Sequence, residues 1–220
     1  MLIRDVHSQT IPYLHLTDKV YDVLQMMNDA HIGHLPVTDG DKYVGLISEN
    51  DLLQASDENM PISGIMEAFP RPSIQQNEHF LKAMQIAVEN GITVVPIIEE
   101  NGDLYGTVTY SDLLRQASEF MSVNDPGGLI VLEMDSQKYS FNEISRLVET
   151  NDSQITQLNT YTDTQTGMMQ VTIKINKMEV SDIVATFQRY DYNVKHYFGE
   201  ELYENELKTN YDNLMNYLKI

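Results

Sequence analysis

Two short runs in this 220-residue chain pair a hydroxyl with a carboxylate three residues on: Ser48-Glu49-Asn50-Asp51 and Thr109-Tyr110-Ser111-Asp112. Each aspartate is followed by Leu-Leu. A Ser or Thr in that place caps the orphan amides at the start of a helix, and the Asp falls within its first turn. The hydroxyl and the exposed amides suit a phosphate, while the carboxylate is a bidentate acceptor for two vicinal hydroxyls. A ribose has those groups. The same pattern also serves as a plain capping box, in which case the helices only help to join subunits.

Other chemistry-bearing side chains are scattered. His31 and His34 have i, i+3 spacing, but Gly33 between them breaks a helix and turns the rings apart, and His7, His15, His79 and His196 are isolated. No third ligand stands at a usual spacing, so no metal site is expected. No Ser/His/Asp order, nucleophile elbow, P-loop or paired-carboxylate cleft stands out, so no catalytic residue is assigned. The absence of cysteine excludes disulfides, thiolate zinc sites and a cysteine nucleophile.

The elements that must position the two motifs are written twice. Thr17 to Leu53 and Asn77 to Leu114 run in parallel, with Pro36 and Pro96 at matching places. In each copy an amphipathic helix comes first, with Val20, Val23, Leu24 and Met27 on the apolar face of one and Phe80, Ala83, Met84, Ala87 and Val88 on the other. Gly33 and Gly91 lie just past these helices as candidate left-handed caps. Two strands follow, His34 to Thr38 with Tyr43 to Ser48, and Thr93 to Ile98 with Leu104 to Thr109, each pair joined by an Asp/Asn/Gly turn. The motif then opens a second helix, and extended lead-ins (Ile3 to Leu14, Ile62 to Ile74) precede each copy. One such unit cannot bury its own apolar face, so the copies should pack as pseudo-symmetric halves with function at the seam.

The order h-x-h-Pro, turn, Gly-h-x-[Ser/Thr]-x-x-Asp-Leu-Leu resembles the cystathionine-β-synthase (CBS) domain, which occurs in tandem pairs. It stands here as His34-Leu35-Pro36 with Gly45 to Asp51, and as Val94-Val95-Pro96 with Gly106 to Asp112. The resemblance implies an adenosine-containing ligand of the AMP, ADP, ATP or S-adenosylmethionine type. Asp51 and Asp112 would then hold ribose hydroxyls, and Ser48 and Thr109 would lie near phosphate. The segments before Pro36 and Pro96 (His34, Thr93, Val94) and the lead-ins around Thr10, Ile11 and Ser73 would sandwich adenine. Members that grip several phosphates carry a base before the h-Pro strand; this chain has His34 and apolar Val94 there, with Arg4 and Arg71 as the cations of the lead-ins. A ligand with one phosphate or none suits it better than ATP.

The formal net charge is −19, with 6 basic and 18 acidic residues up to Val123 and 8 and 15 beyond it. No Lys/Arg stripe exists to displace counterions, which disfavours nucleic-acid and anionic-membrane partners. No apolar run approaches the roughly 18 residues of a membrane span, and residues 1 to 12 lack a signal-peptide core. The chain reads as cytoplasmic.

A cluster of turn formers, Ser122 to Gly128, closes the repeat. The expected organisation is a first CBS repeat over 1–60, a second over 61–121, a linker at 122–127 and a further domain over 128–199. In that last domain the periodicities run strand-helix-strand-strand-helix-strand, the ferredoxin-like order, which is similar to the ACT regulatory domain. A CBS pair followed by such a domain resembles the acetoin-utilisation protein family. Amino-acid-binding ACT domains carry a glycine after the first strand; Asp135 to Tyr139 has none, which argues against an amino-acid effector. A helix over 200–220 is expected from the stripe Tyr203, Leu207, Tyr211, Leu214 and Leu218. The fold class is thus α/β (α+β), and the protein is read as a ligand-sensing regulator, with no cofactor required and a homodimer and an unidentified client protein as partners. A ligand-free dimerisation scaffold is the alternative, and an enzyme with an unrecognised site the weaker one.

Overall fold

The structure, a computed structural model, describes residues 1–6, 11–199 and 215. Thr10 and, apart from position 215, the helix expected over 200–220 lie outside the described residues. The chain divides into two units, Met1–Phe120 and Met121–Ile220. The architecture is mixed α and β, with six α-helices and three sheets among the described residues.

In the first unit each copy is a three-stranded sheet flanked by two helices. Copy one contains β1 (Leu14–His15), α1 (Val20–Ala30), β2 (His34–Asp39), β3 (Lys42–Ser48) and α2 (Glu49–Leu53). Copy two contains β4 (Ile74–Gln75), α3 (Phe80–Asn90), β5 (Val94–Ile98), β6 (Leu104–Thr109) and α4 (Tyr110–Phe120). The sheet orders are β1-β2-β3 and β4-β5-β6, with the short first strand parallel and the hairpin antiparallel. Hairpin register sets His34 opposite Ser48 and Val94 opposite Thr109. The first residue of each Pro strand is thereby paired in register with the Ser or Thr of its own motif. The helix faces are buried through Val20, Val23 and Met27 in α1 and Phe80, Ala83 and Ala87 in α3, with Leu24 and Met84 partly buried beside them, whereas Val88, expected on the same face, is 76% exposed.

Two further expectations need correction. The left-handed cap of α1 is His31 (φ 52°), not Gly33; its counterpart in α3 is Gly91 (φ 63°). The amides of His31 and Ile32 close the helix on Asn28 O and Met27 O, which requires αL geometry at His31. That conformation costs a non-glycine residue about 1–2 kcal/mol. The lead-ins are also not simply extended. They open with 3-10 turns at Ile3–Asp5 and Ile62–Ala68, because each docks on the opposite copy. Ile3 N and Arg4 N donate to Glu78 O and Gln76 O, while Ile62 N and Ser63 N donate to Asp18 O and Leu16 O. Ile3 and Val6 are buried in the core of copy two, and Ile62 and Phe69 in that of copy one. Each half is therefore completed by chain that precedes the other.

The second unit holds β7 (Leu129–Met134), α5 (Phe141–Glu149), β8 (Ile155–Thr162), β9 (Met169–Ile175), α6 (Ser181–Arg189) and β10 (Asn193–Phe198). The antiparallel sheet runs β10-β7-β9-β8, the ferredoxin-like arrangement. Ile144, Leu147 and Val148 of α5 and Ile183, Val184 and Phe187 of α6 bury against Ile130, Leu132, Val171 and Ile173. The glycines entering β7 are required by close approach, since a Cβ on Gly127 would sit 2.0 Å from Ile175 O and one on Gly128 2.3 Å from Val180 Cγ1.

Candidate functional site

Each Ser/Thr-x-x-Asp motif folds into a closed local ring. In copy one the amide and hydroxyl of Ser48 donate to Asp51 Oδ2 at 2.9 and 2.6 Å, and the Asp51 amide donates back to Ser48 Oγ at 3.2 Å. In copy two the amide and hydroxyl of Thr109 donate to Asp112 Oδ2 at 3.1 and 2.7 Å, and Asp112 N donates to Thr109 Oγ1 at 3.1 Å. Both are reciprocal capping boxes. The amides of Glu49 and Tyr110 donate to Gly33 O and Thr93 O, which ties each helix to the strand entry of its own copy. Each hydroxyl proton is thus committed to its own aspartate. In copy two this leaves Ser111 N as the first-turn amide without a partner among the described residues.

The copies differ at the aspartates. Asp51 is partly exposed, and its Oδ1 has no partner among the described residues. Asp112 is 8% exposed, and its Oδ1 accepts from Arg115 Nη2 at 2.7 Å. The position equivalent to Arg115 in copy one is Gln54.

The copies meet at His34 and Thr93. Thr93 N donates to His34 Nδ1 at 3.3 Å, and Thr93 Oγ1 lies 3.1 Å from the same nitrogen. A ring nitrogen that accepts an amide carries no proton, so the imidazole here is neutral with its proton on Nε2. Burial lowers the His34 pKa, and the charge of Asp51 works against that shift.

Beside this contact lies a cavity of about 350 Å³ between the copies. Copy one contributes Ile11, Ala30, His31 and Ile32 to its wall. Copy two contributes Thr93, Val94, Thr109, Tyr110 and Ser111. Of the residues singled out from sequence, Ile11, Thr93, Val94 and Thr109 are therefore together. Pro36 and Pro96 are buried inside the hairpins opposite Leu46 and Thr107. Ser73 is half-buried next to β4, and His34, Ser48, Asp51 and Asp112 are not in the cavity wall. Arg4 donates to Asn77 Oδ1 at 2.9 Å. The wall also holds His31, Tyr110 and Ser111, which sequence reasoning passed over. Tyr110 and Ser111 lie inside the motif itself, and that was the signal available for them.

The second unit has a larger cavity, about 730 Å³, at the end of β7. Glu133, Asp135, Lys138, Glu143 and Asp191 are among the residues of its wall, and Glu133 is paired with Lys195. No helix among the described residues is long and apolar enough to cross a membrane, and no group of three His, Cys, Asp or Glu there could hold a metal ion.

The fold and the paired motifs define a tandem two-copy module with a pseudo-two-fold seam. The CBS domain family matches residues 3–58 and 62–119, and the chain belongs to that family. A similar relative is the uncharacterized 17.7 kDa protein in the bps2 3' region of Acidianus ambivalens, 30% identical over 100 residues, covering 44% of this chain and 60% of the relative. Inosine-5'-monophosphate dehydrogenase of Methanocaldococcus jannaschii is 23% identical over 136 residues, which is 60% of this chain and 27% of the dehydrogenase. The chain thus spans between a quarter and three fifths of these relatives. Among solved structures, a CBS domain pair/ACT domain protein from Thermotoga maritima shares the fold with a TM-score of 0.51 at 20% identity, over 55% of this chain and 99% of that one.

Proposed function

We propose that the CBS pair binds an adenosine-containing ligand of the AMP, ADP, ATP or S-adenosylmethionine type at the seam, and that binding shifts the relative pose of the two copies. The chain acts as a regulatory homodimer on a client protein rather than as an enzyme. The observation that carries this reading is the cavity between the copies, which joins Ile11, Thr93, Val94 and Thr109 from distant parts of the sequence. Its volume is within the roughly 300–1,000 Å³ range of small-molecule sites. Apolar Ile11, Ile32 and Val94 suit a base, and Ser111 N is a single donor for a single anionic oxygen. A ligand with one phosphate or none fits these groups better than a triphosphate. The switch requires the ligand to prefer one pose, since equal affinity for both would move nothing.

One observation favours the scaffold alternative: Asp112, the expected ribose partner, is already held by Thr109 and Arg115. A thermal-shift panel of AMP, ADP, ATP, adenosine and S-adenosylmethionine separates the two readings. Ligand at about a hundred times its Kd stabilises by about 2.7 kcal/mol, and Thr109→Val or Asp112→Ala should diminish that gain. A flat response across the panel would establish the scaffold reading instead.

A further inference from the structure

The structure assigns to Arg115 the role of a latch over the second motif, a residue that a docking diol must displace and that makes this site discriminate between uncharged and anionic ligands. The inference rests on the adenosyl reading above. A carboxylate offers about four acceptor positions, two on each oxygen. On Asp112, Oδ2 is filled by the Thr109 amide and hydroxyl, and Oδ1 by the Arg115 guanidinium, so one position remains. A vicinal diol donates two hydrogen bonds. On Asp51 both positions of Oδ1 stand open among the described residues, and Gln54 replaces the arginine.

The diol must therefore either forgo one bond to Asp112 or open the ion pair. The Arg115 side chain is 67% exposed and that of Asp112 11%; the released guanidinium returns to water, and a pair whose cation is so exposed is worth at most about fivefold in an equilibrium constant. A ligand hydroxyl bonded to the buried carboxylate is worth about tenfold or more, while the guanidinium that leaves Oδ1 regains its hydration. Displacement of Arg115 is the cheaper course. Once displaced, the guanidinium is a free cation beside the bound ligand, which favours a phosphate-bearing ligand over uncharged adenosine. For a neutral ligand the competition leaves an unusual mark: its affinity rises with salt, because screening weakens the pair it must break.

The test titrates the full chain with adenosine by calorimetry in an Asp51→Ala background, where only the second motif reports, with and without Arg115→Gln. It is run at about 0.01 M and about 1 M ionic strength, between which the screening length falls from about 30 to about 3 Å. The Arg115→Gln chain should bind adenosine about two- to fivefold more tightly at low salt, and the gap should close at high salt. Equal affinity at low salt, or a gain indifferent to salt, overturns the latch and leaves the adenosyl reading standing. Binding by the wild type that vanishes in Asp51→Ala likewise overturns the latch, since the second motif is then no site. No binding by any chain overturns both.

Discussion

The two copies of the repeat carry the same capping ring and differ in what surrounds it. Copy one leaves an oxygen of Asp51 without a partner among the described residues and opens its Pro strand with a titratable His34; copy two closes Asp112 with Arg115 and opens its Pro strand with inert Val94. Duplication has kept the groups that terminate strands and start helices, because those are demanded by backbone hydrogen bonding. The groups one step further out have diverged. One chain thereby holds two pseudo-equivalent positions with unequal electrostatics.

The comparison can be broken most forcefully at the exchanged lead-ins. Ile3 and Ile62 are fully buried in opposite halves, so Ile3→Ala and Ile62→Ala should each cost about 2–4 kcal/mol in urea unfolding. A cost confined to one of them would show that the exchange is not reciprocal. Next in size are the aspartates. Asp112→Ala removes a buried acceptor that holds Thr109 and Arg115, for about 1–3 kcal/mol. Asp51→Ala should cost less, about 1 kcal/mol, its carboxylate being more exposed and without an ion-pair partner among the described residues; the reverse order in parallel melts would contradict the asymmetry.

A smaller effect should appear only as a difference of slopes with pH. His34 has a folded pKa below its unfolded value of 6.5, so the fold prefers the neutral ring. The stability this contributes is complete above pH 6.5 and is lost as pH falls from there toward the lowered value. Between pH 8 and pH 5.5 (about one unit or more either side of that value) the melting temperature of the wild type should fall more steeply than that of His34→Val, which gives copy one the residue of copy two. Parallel slopes would remove His34 from the seam's pH response. Smallest of all, Arg115→Gln should change stability without ligand by less than about 0.5 kcal/mol, since the guanidinium is largely exposed and the substituted glutamine still reaches the carboxylate as a donor; a larger loss on unfolding would make Arg115 a structural rather than a displaceable residue.

Much of this architecture was legible in residue order. The faces of α1 and α3, the two hairpins, the capping rings and the ferredoxin-like order of the second unit each follow from local period and turn chemistry, which act over a few residues. The left-handed cap was misplaced at Gly33 because glycine is the cheapest residue there, yet hydrogen-bond closure at His31 outweighed that preference. The Arg115 pair was readable as an i, i+3 contact, but its bearing on Asp112 depends on how deeply that carboxylate is buried. The cavity was half legible: Thr93, Val94 and Thr109 follow from the motif, whereas Ala30 and His31 reach it only through packing of the opposite copy.

Residue order by itself determined the repeat, its helices, hairpins and capped motifs, because each of these is decided by neighbours within about one turn of chain. The tertiary structure decided which lead-in completes which core, that His34 meets Thr93 across 59 positions, and that Asp112 is ion-paired while Asp51 Oδ1 has no partner among the described residues. These are contacts between segments far apart in sequence, and burial, the quantity that sets their strength, exists only once the segments have come together.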